Sequence, residues 1–241
     1  MDAYSRTRLL LGQDGMEKLK NAHVAVFGLG GVGGYVVEAL ARSGVGTLEL
    51  VDHDKVSLSN INRQILATRE TVGMDKAEAA ARRVSAIDPE ITVIVRKQFF
   101  GPATAEEFDF SNYTYVVDAI DTVTGKLALI EAARKAGTPI ISSMGTGNKL
   151  DPTAFRIGDL FETSVCPLAR IMRKECRKRG IDKLKVLYSL EEPIAPNIAP
   201  DDPIWQELPE GRNALPGSIA FVPAAAGLII AGAVIRDITG K

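Results

Sequence analysis

The chain carries only two cysteines in 241 residues, Cys166 and Cys176. They give no disulfide framework and no paired CxxC motif for zinc, which points to a reducing compartment and a cytoplasmic location. Charge of one sign is also missing: 29 basic residues stand against 30 acidic ones. Affinity for a polyanion therefore has to come from a local patch. The stretch Met1 to Arg6 lacks the apolar core of a secretory signal. No apolar run reaches the about 20 residues of a membrane span. The nearest, Ile219 to Ile235, is rich in alanine and glycine and is interrupted by Pro223. It is expected to be a buried core helix starting near Pro223, because proline suits a first helical turn. What remains, 46% hydrophobic and 24% charged residues, suffices for one large α/β domain.

The informative stretch runs from Ala22 to Gly34. A short apolar run ends in Gly28-Leu29-Gly30-Gly31-Val32-Gly33, a helical pattern continues to Ser43, and Thr47 to Val51 leads to Asp52. This reads as strand, glycine turn, helix and strand, with the first strand buried on both faces as in a parallel sheet. Gly28 permits the tight turn, Gly30 lets backbone amides approach a phosphate, and Gly33 lets the helix pack on the sheet. An anion would sit at the helix N-terminus. Asp52, nineteen residues beyond Gly33, is placed to accept from ribose hydroxyls. By itself the fingerprint fits dehydrogenases, methyltransferases and adenylating enzymes alike.

Beyond Asp52 the chain enters a polar loop, His53 to Gln64, where a dehydrogenase would go straight into a helix. Asn60, Arg63 and Gln64 lie past a strand's C-terminal end, where open α/β sheets bind ligands. Lys76 opens a helix that Asp88-Pro89 stops. A cation in a first helical turn opposes the dipole, so an anionic neighbour is expected. Strands follow at Ile91 to Arg96, Tyr113 to Asp118 and Pro139 to Ser143, with a helix over 125–136 capped by Gly137. Asp118 and Asp121 stand at a strand's C-terminal end, and Asp118 can either cap its turn or take part in chemistry. This alternation predicts a mostly parallel sheet. Residues 5–20 read as an amphipathic helix and turn, Thr153 to Leu160 and Lys185 to Ser189 as strands, and Pro167 to Arg179 as a basic helix. From Arg170 to Lys185, eight Lys or Arg stand against Glu175 and Asp182. That helix is either a solvated face or a contact for nucleic acid. Half of the 12 prolines fall between Pro193 and Pro216, which predicts a long loop.

In this order, the glycine fingerprint, Asp52, Ser59-Asn60-Ile61-Asn62-Arg63-Gln64, Lys76 and Asp118 to Asp121 resemble the ThiF-like, ubiquitin-activating-enzyme-like adenylyltransferase family over most of the chain. The resemblance implies a Rossmann-like ThiF-type fold: a mostly parallel central sheet flanked by helices, with a C-terminal extension. One domain, 1–241, would hold a nucleotide-binding half over 1–150 and a substrate and dimerisation half over 151–241. ATP and Mg²⁺ are implied as cofactors. Gly28, Gly30, Gly31, Gly33 and Asp52 would hold the nucleotide, with Asn60, Arg63, Gln64 and Lys76 toward the triphosphate. Asp121 would carry Mg²⁺, and Asp54 would stand near the reacting phosphate. Arg6 would reach into a partner subunit's site, which implies a homodimer.

Within the family, Ser5 to Thr7, His23 to Gly28, Ser143 to Thr153 and Thr163 to Ala169 are similar to the branch that cyclises a threonylcarbamoyl group on the adenosine beside a tRNA anticodon. That implies tRNA as a partner and a cysteine-desulfurase or sulfur-relay protein as a further one. The threonyl carboxylate would be adenylated and the carbamoyl oxygen would expel AMP, a nucleophile supplied by proximity. The rival within the family adenylates the C-terminal carboxylate of a sulfur-carrier or ubiquitin-like protein. Such relatives commonly carry paired zinc cysteines, which this chain lacks.

Overall fold

A computed structural model describes residues 2–195, 197–199, 201–202, 206 and 216–241. Most of the proline-rich loop expected over 193–217 lies outside the described residues. Seven strands form one sheet: β1 (His23–Phe27), β2 (Thr47–Val51), β3 (Thr92–Arg96), β4 (Tyr115–Asp118), β5 (Ile140–Ser143), β6 (Phe155–Asp159) and β7 (Lys185–Ser189). Their order is β3-β2-β1-β4-β5-β7-β6, and every pair is parallel except β6 with β7. The chain moves outward from β1 to β3 and then crosses to β4 on β1's other side. The crevice beyond the C-terminal ends of β1 and β4 is therefore the topological switch point, where α/β sheets bind ligands. β6 and β7 extend the same sheet across the 150/151 boundary.

Among the described residues six α-helices cover the sheet: α1 (Ser5–Lys20), α2 (Gly33–Arg42), α3 (Lys76–Ile87), α4 (Val123–Ala136), α5 (Pro167–Lys178) and α6 (Phe221–Thr239). α2 buries Val36, Val37, Leu40 and Ala41, the stripe its periodicity predicts. Each fully buried leucine of this kind contributes about 1.5–3 kcal/mol. α1 is broken at Gly12, whose φ of 74° and ψ of 175° are not helical. Beyond the break, Gly15 and Leu19 are buried, whereas Leu9 and Leu10 before it are 85% and 82% exposed.

α6 is long and apolar enough to cross a membrane by composition. It is instead a core helix, with Val222, Ala226, Ile230, Ala231 and Val234 fully buried in the cluster it shares with α2 and β1. A Cβ on Gly227 would come 2.5 Å from Val32 C=O, so this glycine sets how closely α6 packs on α2. At the far end Asp237 accepts from Tyr115 Oη at 2.6 Å and pairs with Lys185 at 2.6 Å.

The sheet's other face packs Phe27 against Phe100, Phe108 and Phe110. A third cluster between α4, α5 and β7 contains both cysteines. Cys166 and Cys176 are buried, and burial pushes the Cys176 thiol up to about 11. Both side chains are shielded from solvent, and the raised Cys176 thiol carries little of the nucleophilic thiolate, so neither cysteine of the folded protein should react rapidly with iodoacetamide at neutral pH. Intact-mass measurement should show two adducts only after denaturation; rapid native alkylation would contradict the packing.

Candidate active site

The glycine turn between β1 and α2 is shaped by two contacts. Gly28 has φ of 87°, and a Cβ there would lie 2.6 Å from Ala119 C=O at the end of β4. A Cβ on Gly33 would lie 1.8 Å from Gly28 C=O. Only glycine fits at either point. Replacing Gly33 with alanine should therefore displace the turn. A thermal melt with and without ATP tests this: wild type should shift upward with nucleotide, and G33A should not.

Asp52, at the end of β2, is buried. One carboxylate oxygen accepts Leu29 N–H at 2.6 Å, and the other accepts Asp54 N–H at 2.8 Å. The residue read as a ribose acceptor is thus also the brace of the glycine turn, with lone pairs remaining on both oxygens for a ligand.

The polar loop folds back over the crevice. Asn60 is buried and its side-chain oxygen accepts Ser57 N–H at 3.2 Å. Arg63 donates to Ser59 C=O at 2.8 Å and to Asn62 Oδ1 at 2.9 Å, which fixes its guanidinium at the pocket wall. Gln64 is buried, and its Oε1 has no hydrogen-bond partner. An orphaned buried acceptor beside Gly30 is a group that a ligand donor or water would satisfy.

Lys76, in the first turn of α3, is buried and has the anionic neighbour its position demands. Its Nζ lies 2.7 Å from Asp54 Oδ2, and its N–H donates to Asp54 C=O at 2.9 Å. Partial burial pushes the Asp54 carboxyl up, but the Lys76 hydrogen bond and charge outweigh it, and the group ends below the usual aspartate range. A depressed carboxyl contributes stability above the unfolded-state value and loses it as the pH falls through the folded one, so the Asp54 contribution is fully present at neutral pH.

These side chains converge on a cavity of about 610 Å³, lined among others by Gly28, Gly30, Gly31, Asp52, Asp54, Asn60, Arg63, Gln64, Lys76 and Asp121. Arg6 is exposed on α1 and stands outside that lining, as does Gly33 beneath the turn. Among the described residues, the acidic and imidazole groups spaced to share a cation are Asp52, His53 and Asp54, with ligand atoms within 4.8 Å of one another. Asp121 lines the same cavity but is not in that group.

Asp118 caps the turn after its strand, the first of the two sequence readings, and is also half of a buried ion pair. It is fully buried, and Lys126 of α4, also fully buried, donates to both its oxygens at 3.1 and 3.0 Å and to Ser143 C=O at 2.8 Å. Asp118 in turn accepts Ile120 N–H at 3.1 Å and so shapes the turn that carries Ala119 and Asp121. Sequence reasoning missed Lys126 because a lysine in a helix ordinarily faces water. The one available signal was a basic residue in an otherwise apolar first half of α4.

The cavity continues past the nucleotide crevice, walled by residues 143–149 after β5, by Cys166 to Leu168 at the start of α5, and by 216–218. It can hold a polyanion against the glycine turn and a second group beyond it. The sequence matches the ThiF family model over residues 4–241. The chain is 43% identical to tRNA threonylcarbamoyladenosine dehydratase of Bacillus subtilis (strain 168), over 98% of this chain and 94% of that protein. The crystal structure of E. coli tRNA N6-threonylcarbamoyladenosine dehydratase, TcdA, in complex with ATP is similar at a TM-score of 0.88 and 32% identity, over 99% of this chain and 94% of that one. The same enzyme in complex with AMP gives 0.87, over 100% and 97%. A switch-point crevice with a glycine turn, a polar loop and a buried lysine, matched in sequence from end to end, makes this chain a member of the ThiF family.

Proposed function

We propose that the protein is an ATP-dependent tRNA threonylcarbamoyladenosine dehydratase. The observation that carries this is the convergence of Lys76, Arg63 and Asn60 on the glycine turn, in a cavity that extends into a second compartment. The threonyl carboxylate of the modified adenosine attacks the α-phosphorus of ATP and pyrophosphate leaves. The neighbouring carbamoyl oxygen then bonds the acyl carbon, the acyl–phosphate bond breaks, and AMP departs. The nucleoside has lost one water.

Attack of one anion on another is opposed by charge, and cations fixed in a crevice offset that repulsion as it develops. Lys76 and Arg63 take that role, Asp54 keeps the Lys76 ammonium in place, and Asn60 and Gln64 offer polar groups to the phosphates. Asp52 holds the ribose while bracing the turn. Asp121 is the proposed Mg²⁺ ligand. One carboxylate plus substrate phosphates is a donor set that suits this ion, which would neutralise phosphate charge.

The protein is proposed to act in the cytoplasm as a homodimer. Arg6 stands beside the exposed Leu9 and Leu10, an apolar pair suited to burial against a second copy. α5 offers a tRNA surface at the substrate end. Its Arg173 is spent on Thr163, and Lys178 and Arg179 on Glu175, but Arg170 and Lys174 are exposed with no carboxylate within 4 Å among the described residues. Such cations supply phosphate contacts despite a neutral overall charge. A cysteine-desulfurase or sulfur-relay protein is the further proposed partner, through surfaces other than the two buried thiols.

Pyrophosphate exchange tests the substrate. Exchange into ATP should require threonylcarbamoyladenosine-containing tRNA and ignore a carrier protein ending in Gly-Gly; the opposite dependence would overturn this function.

A further inference from the structure

Among the described residues, Asn148 is the one non-glycine with a left-handed backbone, at φ of 60°. It lines the substrate end of the cavity. That conformation costs energy and persists where the surroundings over-determine it. Three hydrogen bonds do so. Asn148 N–H donates to Gly217 C=O at 2.7 Å, Gly217 N–H donates to Asn148 Oδ1 at 2.6 Å, and Ile194 N–H donates to Asn148 C=O at 2.8 Å. One residue thereby holds both ends of the 195–216 connection.

The opposite wall reaches the same segment. Asn62, next to Arg63, donates from Nδ2 to Ser218 C=O at 3.0 Å. Residues 216–218 thus hang between Asn148, in the loop after β5, and Asn62, in the loop after β2. Pro216, Gly217 and Ser218 all line the cavity. They form a strap joining its nucleotide wall to its substrate wall.

We propose that Asn148 and Asn62 are positioning residues whose hold on 216–218 keeps water from the activated acyl group, so that the adenylate closes its ring in preference to hydrolysing. This rests on the adenylation reading above. The two fates are chemically distinct. In ring closure the carbamoyl oxygen bonds the acyl carbon and AMP leaves. In hydrolysis a water oxygen bonds that carbon, AMP leaves, and the original carboxylate returns with release of protons. Each consumes one ATP, so AMP released per cyclised nucleoside measures the leak. Fewer active molecules would lower both counts and leave the ratio unchanged.

Asn148→Gly keeps the left-handed backbone and removes the Oδ1 acceptor, whereas Asn148→Asp keeps both. With modified tRNA, wild type and N148D should release close to one AMP per cyclised nucleoside. N148G should release about threefold more or beyond, the scale of one lost hydrogen bond. A ratio near one in N148G overturns the proposal, as does loss of both AMP and product with an unchanged melting temperature. If N148G does not fold, N62A cuts the opposite tether while Ser59 C=O still holds Arg63, and carries the same expectation. Absence of AMP from wild type with modified tRNA is a separate result: it removes the adenylation reading, and this proposal with it.

Discussion

Replacing Lys76 with methionine is expected to lower ATP turnover by about 10²–10³-fold, the usual cost of removing a charge-stabilising donor from a preorganised site. The loss should come with little change in stability. Asp54, the partner left behind, is half exposed and is re-solvated when its cation goes, so the folded state should stay within about 1 kcal/mol of wild type. The separation of effects follows from the geometry: the ammonium is buried against the pocket while its counter-ion reaches water. Turnover by AMP release, together with a denaturant melt, checks both halves. Wild-type turnover in K76M would remove Lys76 from the mechanism.

Lys126→Met should do the reverse and strike the fold first. Asp118 is fully buried, and without Lys126 its charge has only Ile120 N–H and the Ser142 hydroxyl to face. Removing one member of a buried pair costs about 3–5 kcal/mol. For a chain of this size that is a fall in melting temperature of about 6–20 °C. The double variant D118N/K126M leaves no buried charge and should recover part of the loss. Equal melts for K126M and wild type would mean that this buried pair does not hold the fold. Because Asp118 shapes the turn before Asp121, and Lys126 also holds Ser143 C=O, K126M should weaken ATP binding in whatever fraction folds.

These two lysines also mark how far the sequence could be read. Lys76 was legible because its partners are set by local order: a strand end, a polar loop and a first helical turn opposing a dipole all announce an anion site. The switch-point crevice was legible for the same reason, since apolar runs, glycines and helix stops define parallel strands in chain order. β7 falls on the residues expected, and β1, β3 and β4 differ from expectation by one or two residues at their starts. Lys126 was not legible, because its burial exists only once α4 lies across β4 and β5. The bracing of Leu29 by Asp52 and the strap held by Asn148 likewise come from contacts remote in sequence. The basic helix was half legible: its charge was evident, but Thr163 and Glu175 occupy part of it. Arg6 was placed by resemblance alone, and within one chain it stays on an exposed helix.

The central claim is that this cavity removes water from a modified adenosine at the expense of ATP. Mass spectrometry of nucleosides from tRNA bearing threonylcarbamoyladenosine, after incubation with the protein, tests it most directly. With ATP present, that nucleoside should be replaced by one lighter by a single water, and without ATP it should persist. An unchanged nucleoside mass in the presence of ATP and folded protein would contradict the account.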